Sequence, residues 1–200
     1  MYATDSNPTW KTWVEAWWEW LPSWPLYWPR ALTYLSPVRL PDGQHLYISD
    51  APSAADEALL RRHNITGLVS IRTPYAILSP IYYRIDGLPA DEVEQLCLSL
   101  DDRPSSNLLS HLETVIYFIR RCLRERRNVL VHCTAGRSRS VSFVIAYLMI
   151  VYDLAYDVAL EMVRSARPEL CMNEGFIQQL QTLDRLLHRM RPTQPVPVAE

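Results

Sequence analysis

Lysine is almost missing from this chain: Lys11 stands alone, and histidines apart, every other basic residue is an arginine. Arginine holds phosphate better through its planar fork, although biased codon usage gives the same imbalance with no function attached. Excess charge is missing too. The formal net charge is -2 over 200 residues, so the whole-molecule balance draws the chain neither to nucleic acid nor to an anionic membrane. Any anion site must be local. Cysteine is sparse and unpatterned. Cys97, Cys122, Cys133 and Cys171 form no C-x-x-C and fit no zinc spacing. Cys97, Cys122 and Cys171 read as small buried hydrophobes. The opening residues are polar with no apolar segment behind them, which is not the form of a secretory signal. The expectation is free thiols in a reducing, intracellular setting, cytoplasmic or nuclear. The longest strongly apolar run, Val141 to Val151, is too short to span a bilayer and reads as a buried helix.

What is present fits a globular protein: 48% of residues are hydrophobic, and the length suits one domain of about 150 residues with extensions. Residues 1–40 stand apart as a Trp/Pro-rich N-terminal extension. All seven tryptophans lie between Trp10 and Trp28. Trp10, Trp13, Trp17, Trp20 and Trp24 share one face of a helix. Such a stripe packs on the main domain, binds a partner protein or a second copy, or lies in a membrane interface. Glu15 and Glu19 beside a single lysine weaken the membrane option. Residues 41–190 read as the main domain and the proline-rich 191–200 as a disordered tail.

Within that domain Gln44–Ser49, Gly67–Arg72, Val93–Leu100 and Asn128–His132 read as strands. Ser53–Arg62 reads as a helix with Ser53 as its cap. Thr73 to Glu92 carries Pro74, Pro80, Gly87 and Pro89 and reads as irregular. Apolar residues at helical spacing mark Asn107–Arg126, followed by helices over Ser138–Val151, Leu154–Ala166 and Asn173–Met190. Five arginines, Arg120, Arg121, Arg124, Arg126 and Arg127, read as a solvated helix end. Strands alternating with helices imply an α/β domain with a central, mostly parallel sheet of about five strands flanked by helices. Ligands in such folds bind beyond the carboxyl ends of the strands.

One such end holds chemistry. The segment from Val129 runs Val-Leu-Val-His-Cys-Thr-Ala-Gly-Arg-Ser-Arg-Ser-Val: an apolar strand, a turn, then a helix. Five residues separate Cys133 from Arg139. A loop of that length opening a helix points successive amides (Thr134, Ala135, Gly136, Arg137, Ser138) into one concavity, where the helix dipole adds positive potential. Gly136 permits torsions that other residues resist. Arg139 closes the ring with a bidentate grip on two phosphate oxygens. A thiol in that field ionises more readily, and thiolate is the nucleophile. His132 reads as a support for the loop, and Ser140 as a donor to the sulfur.

H-C-x-x-G-x-x-R-S resembles the signature of the cysteine-based protein phosphatases, and this copy looks like the small, atypical, single-domain dual-specificity branch. Leu46-Tyr47-Ile48 resembles that family's first strand. Asp102-Arg103-Pro104, followed by Asn107-Leu108-Leu109-Ser110-His111, resembles its general-acid loop. Ala146-Tyr147-Leu148-Met149, Arg167-Pro168, Asn173, Gly175-Phe176 and Gln179-Leu180 match its later pattern. The resemblance implies a two-step phosphatase reaction on phosphotyrosine and phosphoserine or phosphothreonine of proteins, through a phospho-cysteine, with no metal or other cofactor required. Cys133 is then the nucleophile, Arg139 the phosphate clamp and Asp102 the acid, with Asp101 the neighbouring alternative. Arg137 stands where many relatives carry an apolar or aromatic residue, as a charge at the rim or one turned to solvent. The same chemistry also serves relatives that act on phospholipid head groups or RNA 5′ ends. A phosphate-binding scaffold with little turnover is the remaining rival.

Overall fold

The computed structural model describes residues 34–74 and 80–190. The tryptophan stripe and the 191–200 tail, as read from sequence, lie outside the described residues. A five-stranded sheet organises the domain in the order β1-β2-β5-β3-β4. Strand β1 (Ser36–Arg39) runs antiparallel to β2 (His45–Ser49). Then β2, β5 (Asn128–His132), β3 (Ile65–Arg72) and β4 (Glu94–Ser99) are mutually parallel.

Side chains alternate between two cores, as the period of two demands. Leu46, Ile48, Val69, Ile71, Val129 and Val131 face one core. Helices α4 (Leu112–Arg124), α5 (Arg139–Val151), α6 (Tyr156–Ala166) and α7 (Glu174–Met190) cover that face. Leu68 and Leu130 face the other core, beneath α1 (Ala51–Ala54), α2 (Glu57–Arg62) and α3 (Pro80–Asp86). Helix α5 is buried from Arg139 through Met149, which is why its sequence is apolar all round. Among the described residues no helix is long and apolar enough to cross a membrane.

The structure corrects several sequence expectations. The boundary at residue 40 falls too late, because Ser36–Arg39 is part of the sheet. This strand has four residues and includes Pro37, which only an edge strand tolerates. Ser53–Arg62 is not one helix capped by Ser53. Asp50 caps α1 through Ser53 N (2.9 Å), and Asp56 restarts the chain as α2 through Leu59 N (3.1 Å). The 73–92 segment contains helix α3. The first turn expected of the long helix is a 3-10 turn over Leu109–His111. Cys97 and Cys171 are exposed, and only Cys122 and Cys133 are buried. The arginine-rich helix end is partly tied down: Arg121 and Arg127 both pair with Glu94 of β4.

Candidate active site

Strand β5 carries Cys133 to the carboxyl edge of the sheet. There Ser49, His132 and Ser70 lie side by side in register. Cys133 is 1% exposed. The chain then turns over Cys133–Ser138, with Thr134 O accepting from Ala51 N at 3.1 Å. Gly136 adopts φ +65, a left-handed conformation that glycine takes without strain. A Cβ there would lie 2.4 Å from Ser49 O, so the close approach demands glycine as well. The Gly136 amide donates to Cys133 Sγ at 3.2 Å, and Ser140 Oγ lies 3.3 Å from the same sulfur. Ser140 thus lies within hydrogen-bond reach of the sulfur. Helix α5 starts at Arg139 with no side-chain cap and no acidic residue in its first turn, so its positive end stays uncompensated beside the loop.

Arg139 is 4% exposed and lies at the same ring. Its Nη1 donates to Leu100 O (3.2 Å) and its Nη2 to Thr134 Oγ1 (3.0 Å). Its Nε has no hydrogen bond among the described residues and faces Asp102 Oδ2 at 3.6 Å. A buried guanidinium N–H in that position is a donor suited to an oxyanion. Thr134 Oγ1 also meets Tyr82 OH at 3.2 Å. Arg72, paired with Asp86 at 2.9 Å, sits over the Tyr82 ring.

Of the two adjacent acids, the structure brings Asp102 to the ring. Asp102 Oδ1 accepts from Ser138 Oγ and from Asn173 Nδ2, each at 2.7 Å. Asp101 pairs instead with exposed Arg103 at 4.0 Å. Helix α7 holds the loop that carries Asp102. Asn173 Oδ1 caps α7 by accepting from Phe176 N (3.0 Å) while its amide grips Asp102. Gln179 accepts from Leu108 N and donates to Ser106 O, both at 2.8 Å. Gly175 lies so close to Pro104 that a Cβ would come within 2.0 Å of its carbonyl oxygen.

His132 is fully buried. Its Nδ1–H donates to Cys133 O at 3.2 Å, and its ring stacks on Tyr82. Burial, helped by the charges of Arg72 and Arg139, pushes its pKa down to about 3; the bond to Cys133 O opposes this. A neutral imidazole with its one proton on Nδ1 is thus a fixed support beneath the loop and takes up no second proton in the neutral range. Arg137 is exposed and turned away from the ring, its Nε donating to Glu169 O at 2.8 Å.

Sequence reasoning missed the supports. Asn173 and Gln179 entered only as pattern positions, and Tyr82 lay in a segment read as irregular. Arg167, likewise known only from the pattern, is 3% exposed behind the phosphate loop. Its Nε donates to Gly136 O, its Nη2 to Ala135 O (3.3 Å) and its Nη1 to Ser36 Oγ (3.0 Å).

Comparison with known proteins matches this architecture. The family model for the dual specificity phosphatase catalytic domain matches residues 46–185. The chain is 39% identical over 142 residues to dual specificity protein phosphatase 22-B of Danio rerio, covering 71% of this chain and 70% of that one. It is 36% identical over 140 residues to dual specificity protein phosphatase 22 of Homo sapiens, covering 70% of each. Among solved structures, human DUSP28 aligns with a TM-score of 0.64 at 32% identity, over 77% of this chain and 95% of that one. The matched span runs from β2 through α7 and includes the whole ring around Cys133, so the chain belongs to the dual-specificity phosphatase family and is a cysteine-based protein phosphatase.

Proposed function

We propose that Cys133 is the nucleophile, Arg139 the phosphate clamp and Asp102 the general acid and base in hydrolysis of phosphotyrosine and phosphoserine or phosphothreonine. In the first step Cys133 Sγ attacks phosphorus, the bond to the side-chain oxygen breaks, and Asp102 gives its proton to that oxygen. In the second step water attacks phosphorus, Asp102 takes a proton from it, and the S–P bond breaks to release inorganic phosphate. Ser140 donates to the departing sulfur. The amides of the 134–138 loop and Arg139 hold the three equatorial oxygens throughout. One observation carries this reading. The Gly136 amide and the Ser140 hydroxyl converge on Cys133 Sγ, while Asp102 Oδ2 lies 3.6 Å from the guanidinium that closes the same ring.

The working partner is then a phosphorylated protein. Four free cysteines suit a reducing cell interior, where a role in signalling is the natural use. Turnover of phosphopeptides tests the central reading. Cys133→Ser should abolish it with the melting temperature kept within a few degrees. Undiminished turnover by that variant would sink the assignment.

A further inference from the structure

Arg167 lies on the far side of the phosphate loop from the sulfur, and its contacts concern the geometry of two successive peptide groups. In the Ala135–Gly136 peptide, the N–H points to Cys133 Sγ at 3.2 Å and the C=O points to Arg167 Nη2 at 3.3 Å. A trans peptide is planar with its N–H and C=O opposed. Holding one end outward therefore fixes the other inward. In the next peptide, Arg167 Nε holds Gly136 O. The same planarity sends the Arg137 N–H to the opposite side. Gly136 at φ +65 is the conformation that lets consecutive N–H groups face one concavity.

We propose that Arg167 is a positioning residue for the proposed reaction: by holding the carbonyls of Ala135 and Gly136 outward, it aims the amides of Gly136 and Arg137 at sulfur and phosphate. The inference rests on the reading of Cys133 and its loop as the phosphate site. A guanidinium suits this task because its fork reaches two adjacent carbonyls at once, which an ammonium does not. Its charge is balanced away from the substrate, by Glu169 Oε1 at 3.5 Å and by the Tyr34 ring at 5.2 Å. Its third hydrogen bond goes to Ser36 Oγ of β1. The edge strand thereby becomes part of the catalytic support. A Cβ on Gly136 would lie 2.8 Å from Arg167 Nη2, so the two residues are fitted to each other.

The test uses the full chain with p-nitrophenyl phosphate as substrate and orthovanadate as oxyanion probe. Arg167→Lys and Arg167→Ala are compared with Arg164→Ala, an exposed arginine on α6 that pairs with Glu161. Removing one preorganised donor from an oxyanion site costs about 100- to 1000-fold in rate, and misaiming one costs less. Arg167→Ala is expected to weaken vanadate inhibition by about 100-fold and Arg167→Lys by about tenfold. Both should slow alkylation of Cys133 by iodoacetamide at pH 6, and Arg164→Ala should match wild type throughout. A residue that merely holds the fold would lower the melting temperature and leave vanadate affinity per folded molecule unchanged. Vanadate inhibition within twofold of wild type in a folded Arg167 variant overturns the proposal. Should neither variant fold, Ser36→Ala removes one acceptor of Arg167 and must weaken vanadate about two- to fivefold; no change there overturns it equally. A wild-type chain that neither turns over the substrate nor binds vanadate would instead refute the reaction itself.

Discussion

Replacing Asp102 by asparagine separates its two oxygens. Oδ1 accepts two hydrogen bonds of 2.7 Å, from Ser138 Oγ and Asn173 Nδ2, and so remains an acceptor. The transferable proton must then ride on Oδ2, the oxygen that faces Arg139 at 3.6 Å. Asparagine keeps the carbonyl oxygen in the Oδ1 position and deletes the proton carrier at Oδ2. Both hydrogen bonds to Oδ1 survive, but the ion pair of Oδ2 with the buried Arg139 is lost, so stability should fall by about 1–2 kcal/mol. The loss in rate depends on what must leave. General acid catalysis contributes roughly 10²–10⁴-fold where the leaving oxygen is basic. A tyrosine phenol, with a pKa near 10, needs that proton, and a serine alkoxide needs it more. Nitrophenolate leaves without it. Turnover of a phosphotyrosine peptide should therefore fall by about 100-fold or more. With p-nitrophenyl phosphate the first step should survive and the second, which needs the same residue as base, should slow. Stopped-flow absorbance would show a burst of nitrophenolate equal to the enzyme concentration, followed by slow turnover. A first step slowed as much for p-nitrophenyl phosphate as for the phosphopeptide, with no burst, or a larger loss from Asp101→Asn, would refute the assignment.

Asn173→Ala removes both the cap of α7 and a grip on Asp102; turnover of phosphopeptides should fall about tenfold and stability by about 1 kcal/mol, measured by steady-state kinetics and urea titration. Gly136→Ala places a Cβ 2.4 Å from Ser49 O at φ +65, and should abolish phosphate or vanadate binding by calorimetry while costing roughly 1–3 kcal/mol. His132 has a folded pKa pushed down to about 3 against an ordinary 6.5. Between those values the unfolded chain binds the extra proton, so stability present above pH 6.5 is lost as the pH falls. At up to about 1.4 kcal/mol per pH unit, the loss between pH 7 and pH 5 is about 2 kcal/mol. Urea titrations of wild type and His132→Gln at the two pH values check this: the variant's stability should depend less on pH by that amount.

The sheet and the reactive loop were legible because both are local. Leu46 and Ile48, or Val129 and Val131, announce strands by alternation, and Cys133, Gly136, Arg139 and Ser140 lie within eight residues. The supports were not, because they arise across the fold. Asn173 reaches Asp102 over 71 residues, and Arg167 reaches Gly136 over 31. No periodicity encodes such a pairing. The register of Pro104 and Asn107 favours Asp102 over Asp101, and the two also differ in the partners each meets across the fold. Strand β1 escaped notice because four residues with a proline carry almost no pattern, and α3 because Pro80 opens it and the flanking breakers mask it. Cys97 contradicted its expectation because β4 is an edge strand whose outer face is open.

Helix α7 grips the Asp102 loop through Asn173, Gly175 and Gln179, whereas the amide ring is seated on the sheet and on Arg167. The two anchorages meet at Ser138, whose hydroxyl accepts from Asn173 N and donates to Asp102 while its own backbone belongs to the ring. A tug on the last helix is therefore felt at both ends of the reaction, since Cys171 N also holds Arg137 O of the loop at 2.9 Å.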